Sequence, residues 1–399
     1  MEQLIQYQAN LLKSINKDFT RYAYSKLPWQ SRFLGIKGFR GVGKTTMLLQ
    51  YLKYELKDLS AHLYVTLDHP YFYQHSLYEL AEQFYQLGGK TLLVDEVHKL
   101  PDWSRQIKIV YDGYPDLQLI FTSSSALDIL KGESDLSRRV LTYELGGLSF
   151  REYISFVHGI DLPVYSLTEI TKNHLQIASE IAAKVRPIAL FKSYLQTGYY
   201  PYGQAEPKEF FQKRLLQALE VVLQSDINYI YGYTSENTAK IKKLLSVISE
   251  SPPFTINIAA VADKLGIGRS TVSNYLYALH DAGILRFLNR KGKGVARLQK
   301  PDKIYLDNTN LSLVLQANID TGTQRETVAL NQLQHAGYST ALPAKGDIFI
   351  EEENLTIEIG GKNKTAKQIQ GVPNSYIFAD DIEIGFGQKI PLYLLGFLY

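Results

Sequence analysis

The residues Gly38-Phe39-Arg40-Gly41-Val42-Gly43-Lys44-Thr45 have the types and spacing that hold phosphate. Their glycines let backbone N–H groups turn inward as a concave anion nest, and a helix starting there adds its N-terminal dipole. An apolar run at 33–36 precedes them and a helical pattern at 47–56 follows, the strand–loop–helix setting that this chemistry requires. Lys44 is then placed to reach the β- and γ-phosphates of a nucleotide, and the Thr45 hydroxyl to ligate Mg²⁺. The expected nucleotide-binding set is Gly38, Phe39, Arg40, Gly41, Val42, Gly43, Lys44, Thr45 and Thr46, with ATP and Mg²⁺ as ligands.

Further along, Thr91-Leu92-Leu93-Val94-Asp95-Glu96 reads as a buried strand ending in two carboxylates. Asp95 is expected to hold the metal, directly or through water. Glu96 is expected to polarise the water that attacks the γ-phosphate. The second acid favours hydrolysis over transfer to a small-molecule acceptor.

A different chemistry is suggested between Ile256 and His280. A short helix at 258–265, a turn at Gly266-Ile267-Gly268 and a second helix at 269–280 share the apolar residues Val261, Leu265, Ile267, Val272, Leu276 and Leu279. That is a helix-turn-helix pattern, and Gly283-Ile284-Leu285 with the loop Arg290-Lys291-Gly292-Lys293-Gly294 reads as a wing. In a DNA-binding version Arg269, Ser270, Thr271, Ser273 and Asn274 face the groove, while Lys291 and Lys293 meet phosphates. Between Lys264 and Lys303 nine basic residues stand against two acidic ones, a local +7 in a chain of net charge +3, so the remainder carries −4. This asymmetry points to a polyanion at one segment. The competing reading is a winged helix used for protein contact.

The elements that must position these groups follow from the apolar pattern. Strands are expected at 32–36, 62–67, 91–94, 117–122 and 140–145, with helical stretches between them and a leading helix at 4–15. Their alternation implies a parallel, doubly wound sheet, in which ligands gather at the carboxyl ends of strands. Residues 167–217 are helical, broken at Arg186-Pro187 and again at 197–203, and an amphipathic helix is expected at 210–223. Boundaries are expected at 231–237 and 308–323.

At 399 residues, with 45% apolar and 21% charged content, the chain suits several ordinary folded domains. It has no cysteine, which excludes disulfides, thiolate metal sites and cysteine nucleophiles. No basic and then apolar leader is evident at Met1-Glu2-Gln3-Leu4, and the apolar tail at 391–399 is too short to span a bilayer, so the expectation is a cytoplasmic protein without membrane contact. The 29 tyrosines show no repeat and read as core edges.

Segments 37–45, 92–99 with Pro101 and Trp103, 121–126, 136–140, 148–153 and 193–201 together resemble a family of prokaryotic AAA+ superfamily ATPases. Its members carry a helical lid, a winged helix and a C-terminal domain of unknown function with a restriction-endonuclease-like pattern. The resemblance implies an α/β fold divided into a P-loop ATPase domain (1–155), a helical lid (156–235), a winged helix-turn-helix (236–308) and a nuclease-like domain (309–399). It also implies a polar sensor among Thr122, Ser123 and Ser124, with Thr122 counted among the catalytic residues. Arg139 aligns with an arginine that reaches a neighbouring subunit's nucleotide, which implies a homo-oligomer. In the tail, Glu326, Asp347 and Glu358 resemble the acidic metal site of restriction-type nucleases. The usual lysine position there is Gly360 and the nearest lysine is Lys362, so the nuclease site is expected to be vestigial. The expected activity is ATP hydrolysis coupled to a nucleic-acid-binding winged helix. The alternatives are an ATP-gated protein-interaction switch and an ATP-regulated nuclease.

Overall fold

The computed structural model describes residues 1–124, 136, 138–204, 207–250, 256–291, 300–316 and 320–399. These form two compact units, residues 1–146 and 147–399.

The first unit is a parallel sheet flanked by helices. Its strands are β1 (Phe33–Gly38), β2 (His62–Thr66), β3 (Thr91–Asp95), β4 (Gln118–Ser124) and β5 (Leu141–Glu144), in the order β2-β3-β4-β1-β5. The helices are α1 (Glu2–Lys13), α2 (Tyr22–Lys26), α3 (Lys44–Tyr54), α4 (Leu77–Gln86) and α5 (Trp103–Gly113). Phe33, Leu34, Ile36, Leu92, Leu93, Val94, Leu119, Ile120 and Phe121 are buried, as continuous apolar runs must be when helices cover both faces. α1 is fastened to β2 by Gln8, which accepts the Tyr64 N–H at 2.6 Å and donates to the His62 carbonyl at 3.3 Å. α4 starts at a capping box, where Ser76 and Glu79 satisfy each other's backbone N–H groups. The registers Thr66↔Asp95, Val94↔Phe121 and Ile36↔Thr122 bring the carboxyl ends of β1 to β4 level with one another.

The second unit opens with helices: α6 (Phe150–His158), α7 (Leu167–Ala182), α8 (Pro187–Ser193), α9 (Lys208–Val221), α10 (Ile227–Tyr231) and α11 (Ser235–Ser249). Capping boxes at Ser149/Glu152, Ser166/Glu169 and Thr234/Asn237 fix three of their starts. Pro187 is the first residue of α8, where its missing N–H costs nothing. The helix-turn-helix pair follows as α12 (Ile258–Leu265) and α13 (Arg269–Asp281), joined through Gly266 at φ +64°. β6 (Leu285–Leu288) and β7 (Lys303–Leu306) then pair antiparallel. After α14 (Thr309–Leu315) and α15 (Thr321–His335) comes a mixed sheet of β8 (Thr340–Ala341), β9 (Ile348–Ile350), β10 (Leu355–Gly360), β11 (Ser375–Ala379) and β12 (Lys389–Pro391), in the order β12-β11-β10-β9-β8.

Helix α6 spans the boundary expected at residue 155 and lies in the second unit. The stretch 308–323, where a boundary is expected, begins with the buried cap and first turn of α14. Asn308 caps that helix by accepting the Leu311 N–H, and Asn310 accepts the Tyr199 N–H and donates to the Leu195 carbonyl. Asp307, just before it, is paired with Arg286 at 2.8 Å and accepts from the Tyr199 hydroxyl at 3.2 Å. Asn and Thr clusters read as loops when they face water. Here their side chains satisfy buried backbone groups instead.

Candidate functional site

The phosphate-binding loop turns between β1 and α3. Gly43 has φ +100°, a left-handed conformation that a side chain rarely adopts, and it is the cap of α3. A methyl group on Gly38 would meet the Leu145 carbonyl oxygen at 2.5 Å, so the loop starts where β1 and the chain after β5 approach most closely. Lys44 is 5% exposed, and its ammonium donates to the Gly38 carbonyl at 2.7 Å and the Phe39 carbonyl at 3.2 Å. From outside, buried Arg21 donates to the Val42 carbonyl at 2.6 Å and to the Gly146 carbonyl at 2.9 Å. Nothing in the local sequence marks Arg21 as a brace of this loop.

The acids lie at the end of β3. Asp95, 3% exposed, accepts from the Thr45 hydroxyl at 2.7 Å and the Tyr64 hydroxyl at 2.9 Å on one oxygen, and from the Thr122 hydroxyl on the other. Burial, and then the Asp95 charge, push the Tyr64 hydroxyl well above its ordinary range, so it remains a donor. Thr122 also accepts the Glu96 N–H at 3.0 Å. Its hydroxyl is therefore engaged in holding both acids. Glu96 has φ +58°, a strained conformation for a residue with a side chain. Its carboxylate faces the Nε2 of His98 at 3.2 Å and a guanidinium nitrogen of Arg40 at 4.0 Å. The Ser124 N–H donates to the Nδ1 of His98 at 3.2 Å, which leaves the ring's proton on the nitrogen facing Glu96. Tyr64, Arg40 in this contact and His98 were not legible as partners of the acids. The only signal was that His98 follows Glu96 by two residues.

These groups fit a magnesium nucleotide: an inward-turned loop with a buried ammonium, a hydroxyl and a carboxylate 2.7 Å apart, and a second carboxylate beside them. Arg139 lies apart from them, paired through Nε and Nη2 with Asp112 of α5 at 3.0 and 3.3 Å.

In the second unit Arg269, Ser270 and Asn274 are exposed along α13 and Thr271 is half-buried. Lys291 stands over the Phe349 ring at 5.5 Å, and with Arg290 it lines a cavity of about 590 Å³. Lys293 lies outside the described residues. The tail acids are brought together. Glu326 on α15 accepts from the Tyr305 hydroxyl at 2.6 Å and Lys303 at 3.4 Å, and Asp347 accepts the Ile359 N–H at 2.7 Å. Glu358 on β10 meets Lys364 at 2.5 Å. Lys362 does not join them: it is exposed, and its carbonyl accepts from Lys389.

The first unit thus has the P-loop α/β fold of the AAA+ type, with a strand order of β2-β3-β4-β1-β5 and its loop after β1. Residues 30–154 match the family model of the AAA domain, and residues 188–326 match a domain of unknown function (DUF8612). The second match runs through α8, the helix-turn-helix and α14 to Glu326 without a break at residues 235 or 308. The uncharacterized protein MJ1637 of Methanocaldococcus jannaschii is 24% identical in an alignment covering 90% of this chain and 84% of that protein. Among solved structures, AMPPCP-bound DnaA from Aquifex aeolicus is similar at 18% identity over 69% of this chain and 87% of that one, with a TM-score of 0.26. C. elegans PCH-2 aligns at 15% identity over 69% and 68%, also with a TM-score of 0.26. Among the described residues no helix is long and apolar enough to cross a membrane.

Proposed function

We propose that the chain is a Mg²⁺-dependent ATP hydrolase whose second unit uses a winged helix-turn-helix to meet nucleic acid. One observation carries the first half: Asp95 and Glu96 stand side by side and each is held by several groups, Asp95 by three hydroxyls and Glu96 by Thr122 at its N–H and by His98 and Arg40 at its carboxylate, with Thr122 shared between them. A carboxylate that only terminates a strand needs no such support. In this reading Lys44 binds the phosphates, Thr45 and Asp95 hold Mg²⁺, and Glu96 accepts a proton from the attacking water. Bound Mg²⁺ supplies charge neutralisation on the transferring phosphoryl group. His98 and Arg40 position Glu96, and its contact with Arg40 ties the acid to the loop that surrounds phosphate. Arg139 serves a neighbouring copy only after exchanging its pair with Asp112.

The exposed polar residues Arg269, Ser270 and Asn274 on the second helix of the pair support the nucleic-acid half, as does the local charge of +7. The test of the enzymatic half is Glu96→Gln. It is expected to bind ATP normally and to hydrolyse it about 10²–10⁴-fold more slowly, the contribution of a positioned general base. Wild-type turnover in this variant would remove Glu96 from the reading, and absence of ATP binding by the wild-type chain would remove the function.

A further inference from the structure

We infer that Tyr64 selects the ion of the first unit: its hydroxyl closes one oxygen of Asp95, so this carboxylate meets a divalent cation through its other oxygen alone, which favours Mg²⁺ over Ca²⁺. The role rests on the nucleotide site proposed above and concerns which ion that site accepts. Tyr64 lies in β2 and is 2% exposed. Its hydroxyl donates to Oδ2 of Asp95 at 2.9 Å, and the Thr45 hydroxyl donates to the same oxygen at 2.7 Å. The Thr122 hydroxyl donates to Oδ1.

An ionised carboxylate offers about four lone-pair positions, two on each oxygen. Among the described residues Oδ2 of Asp95 has two hydroxyl donors and is filled, while Oδ1 has one and keeps a position open. A cation that grips both oxygens has to strip Oδ2 of a donor. One that takes a single oxygen, directly or through a coordinated water, finds the open position on Oδ1. The two ions differ in this respect. Ca²⁺ gathers about six to eight oxygens in a flexible shell and accepts both oxygens of one carboxylate. Mg²⁺ demands a near-octahedral shell, gives up water reluctantly and is held through one or two carboxylates with several waters kept.

Of the three donors, Tyr64 is the one with nowhere else to go. The register Tyr64↔Leu93 and Thr66↔Asp95 puts it on the same face of the sheet as Asp95, one pleat repeat short of it, and its long side chain reaches the end of β3. From α1, Gln8 accepts the Tyr64 N–H at 2.6 Å and fixes the strand at this residue. Asp95 is the one acceptor of the Tyr64 hydroxyl among the described residues. Withdrawing the bond would leave a buried hydroxyl without a partner, and that is costlier than the bond is favourable. Burial, and then the Asp95 charge, keep the phenol protonated, so it stays a donor. A phenylalanine would fill the same volume in the core, so packing alone does not call for the oxygen.

The hydroxyl brings no charge, so the attraction of Asp95 for either ion is kept. What it limits is the number of oxygens on offer, and ligand number is one of the properties by which a site tells these two ions apart. Tyr64 is thus a positioning residue, acting on the cation through Asp95.

The test uses the full chain with the non-hydrolysable analogue AMPPCP and Mn²⁺ as reporter ion, read by electron paramagnetic resonance, so that no turnover is needed. Bound Mn²⁺ is displaced with Mg²⁺ or with Ca²⁺, and the ratio of the two half-displacing concentrations is measured. The wild-type chain should need at least about tenfold more Ca²⁺ than Mg²⁺, and Tyr64→Phe should bring that ratio about tenfold closer to one, the usual size of the effect when an outer-shell partner is removed. Thr122→Val opens Oδ1 but leaves Oδ2 filled. It should therefore keep the wild-type ratio whatever it does to overall cation affinity, whereas a general loosening of Asp95 would shift both variants alike. Absence of nucleotide-dependent Mn²⁺ binding by the wild type would remove the nucleotide site and the role of Tyr64 with it. With that binding present, equal displacement by the two ions in the wild type, an unchanged ratio or lost Mn²⁺ binding in Tyr64→Phe, or equal shifts in the two variants would each overturn selection by Tyr64 and leave the nucleotide site standing.

Discussion

In the first unit the acids Asp95 and Glu96 are surrounded by hydroxyl and backbone partners, and their lysine, Lys44, is held away from them by loop carbonyls. In the second unit Glu358 meets the Lys364 ammonium directly, and neither of its oxygens has a hydrogen-bond donor among the described residues. The difference lies in what each site has already satisfied. Neutral hydroxyls hold a carboxylate in place without bringing a compensating charge, whereas the Lys364 ammonium 2.5 Å from Glu358 brings one. The first arrangement is preorganised, whereas the second is self-compensated.

Lys44→Ala is the widest break of this comparison. It should abolish measurable ATP hydrolysis and lower nucleotide affinity by at least about 100-fold, since it removes the charge that meets the β- and γ-phosphates. Wild-type hydrolysis by this variant, read as phosphate release, would remove Lys44 from the phosphate-binding role.

How far each region can be read from sequence follows the same division. The loop, the two acids and Thr45 lie in short linear runs, because one strand–loop–helix turn and one strand end supply them all. The parallel sheet was equally legible from its apolar runs, within a residue or two at each end. Tyr64 was not, because it is a buried strand aromatic whose hydroxyl reaches Asp95 only through the β2–β3 register. Arg21 reaches the loop from a neighbouring helix cap. In the tail the resemblance points to Glu326, Asp347 and Glu358 with Lys362 as the nearest lysine, whereas the lysine that pairs with Glu358 is Lys364, which enters through a turn that spacing along a strand does not reveal. Asn308 and Asn310 are equally hidden in the sequence, because the tyrosine and backbone groups they serve come from the distant 195–200 stretch.

Thr122→Val probes the hydroxyl support at nearly constant volume. It leaves one Asp95 oxygen and the Glu96 N–H without that partner, both in a buried setting. The expected cost is about 3 kcal/mol of stability in the first unit, as for a lost hydrogen bond to a buried charge. Urea unfolding followed by tyrosine and tryptophan fluorescence measures it. Turnover should also fall, because the strained Glu96 backbone loses its anchor. A variant as stable as the wild type would mean that the hydroxyls do not hold the acids.

The smallest expected effect concerns how a phosphodiester reaches the second unit. Lys291 packs over Phe349 of β9, whereas Arg269 is exposed at the start of α13. If both meet DNA, the logarithm of affinity should fall linearly with the logarithm of salt concentration, and Lys291→Ala should reduce that slope by about 0.9, one released counterion's worth. Arg269→Ala should instead alter preference among sequences, because a side chain at the start of a reading helix meets base edges. Anisotropy titrations of the full chain across a salt series distinguish the two effects. An unchanged slope in Lys291→Ala with intact binding would assign Lys291 to packing on Phe349, leaving Arg269 and its neighbours on α13 to bring nucleic acid to this unit. No binding by the wild-type chain at low salt would instead make the helix-turn-helix a protein-contact module.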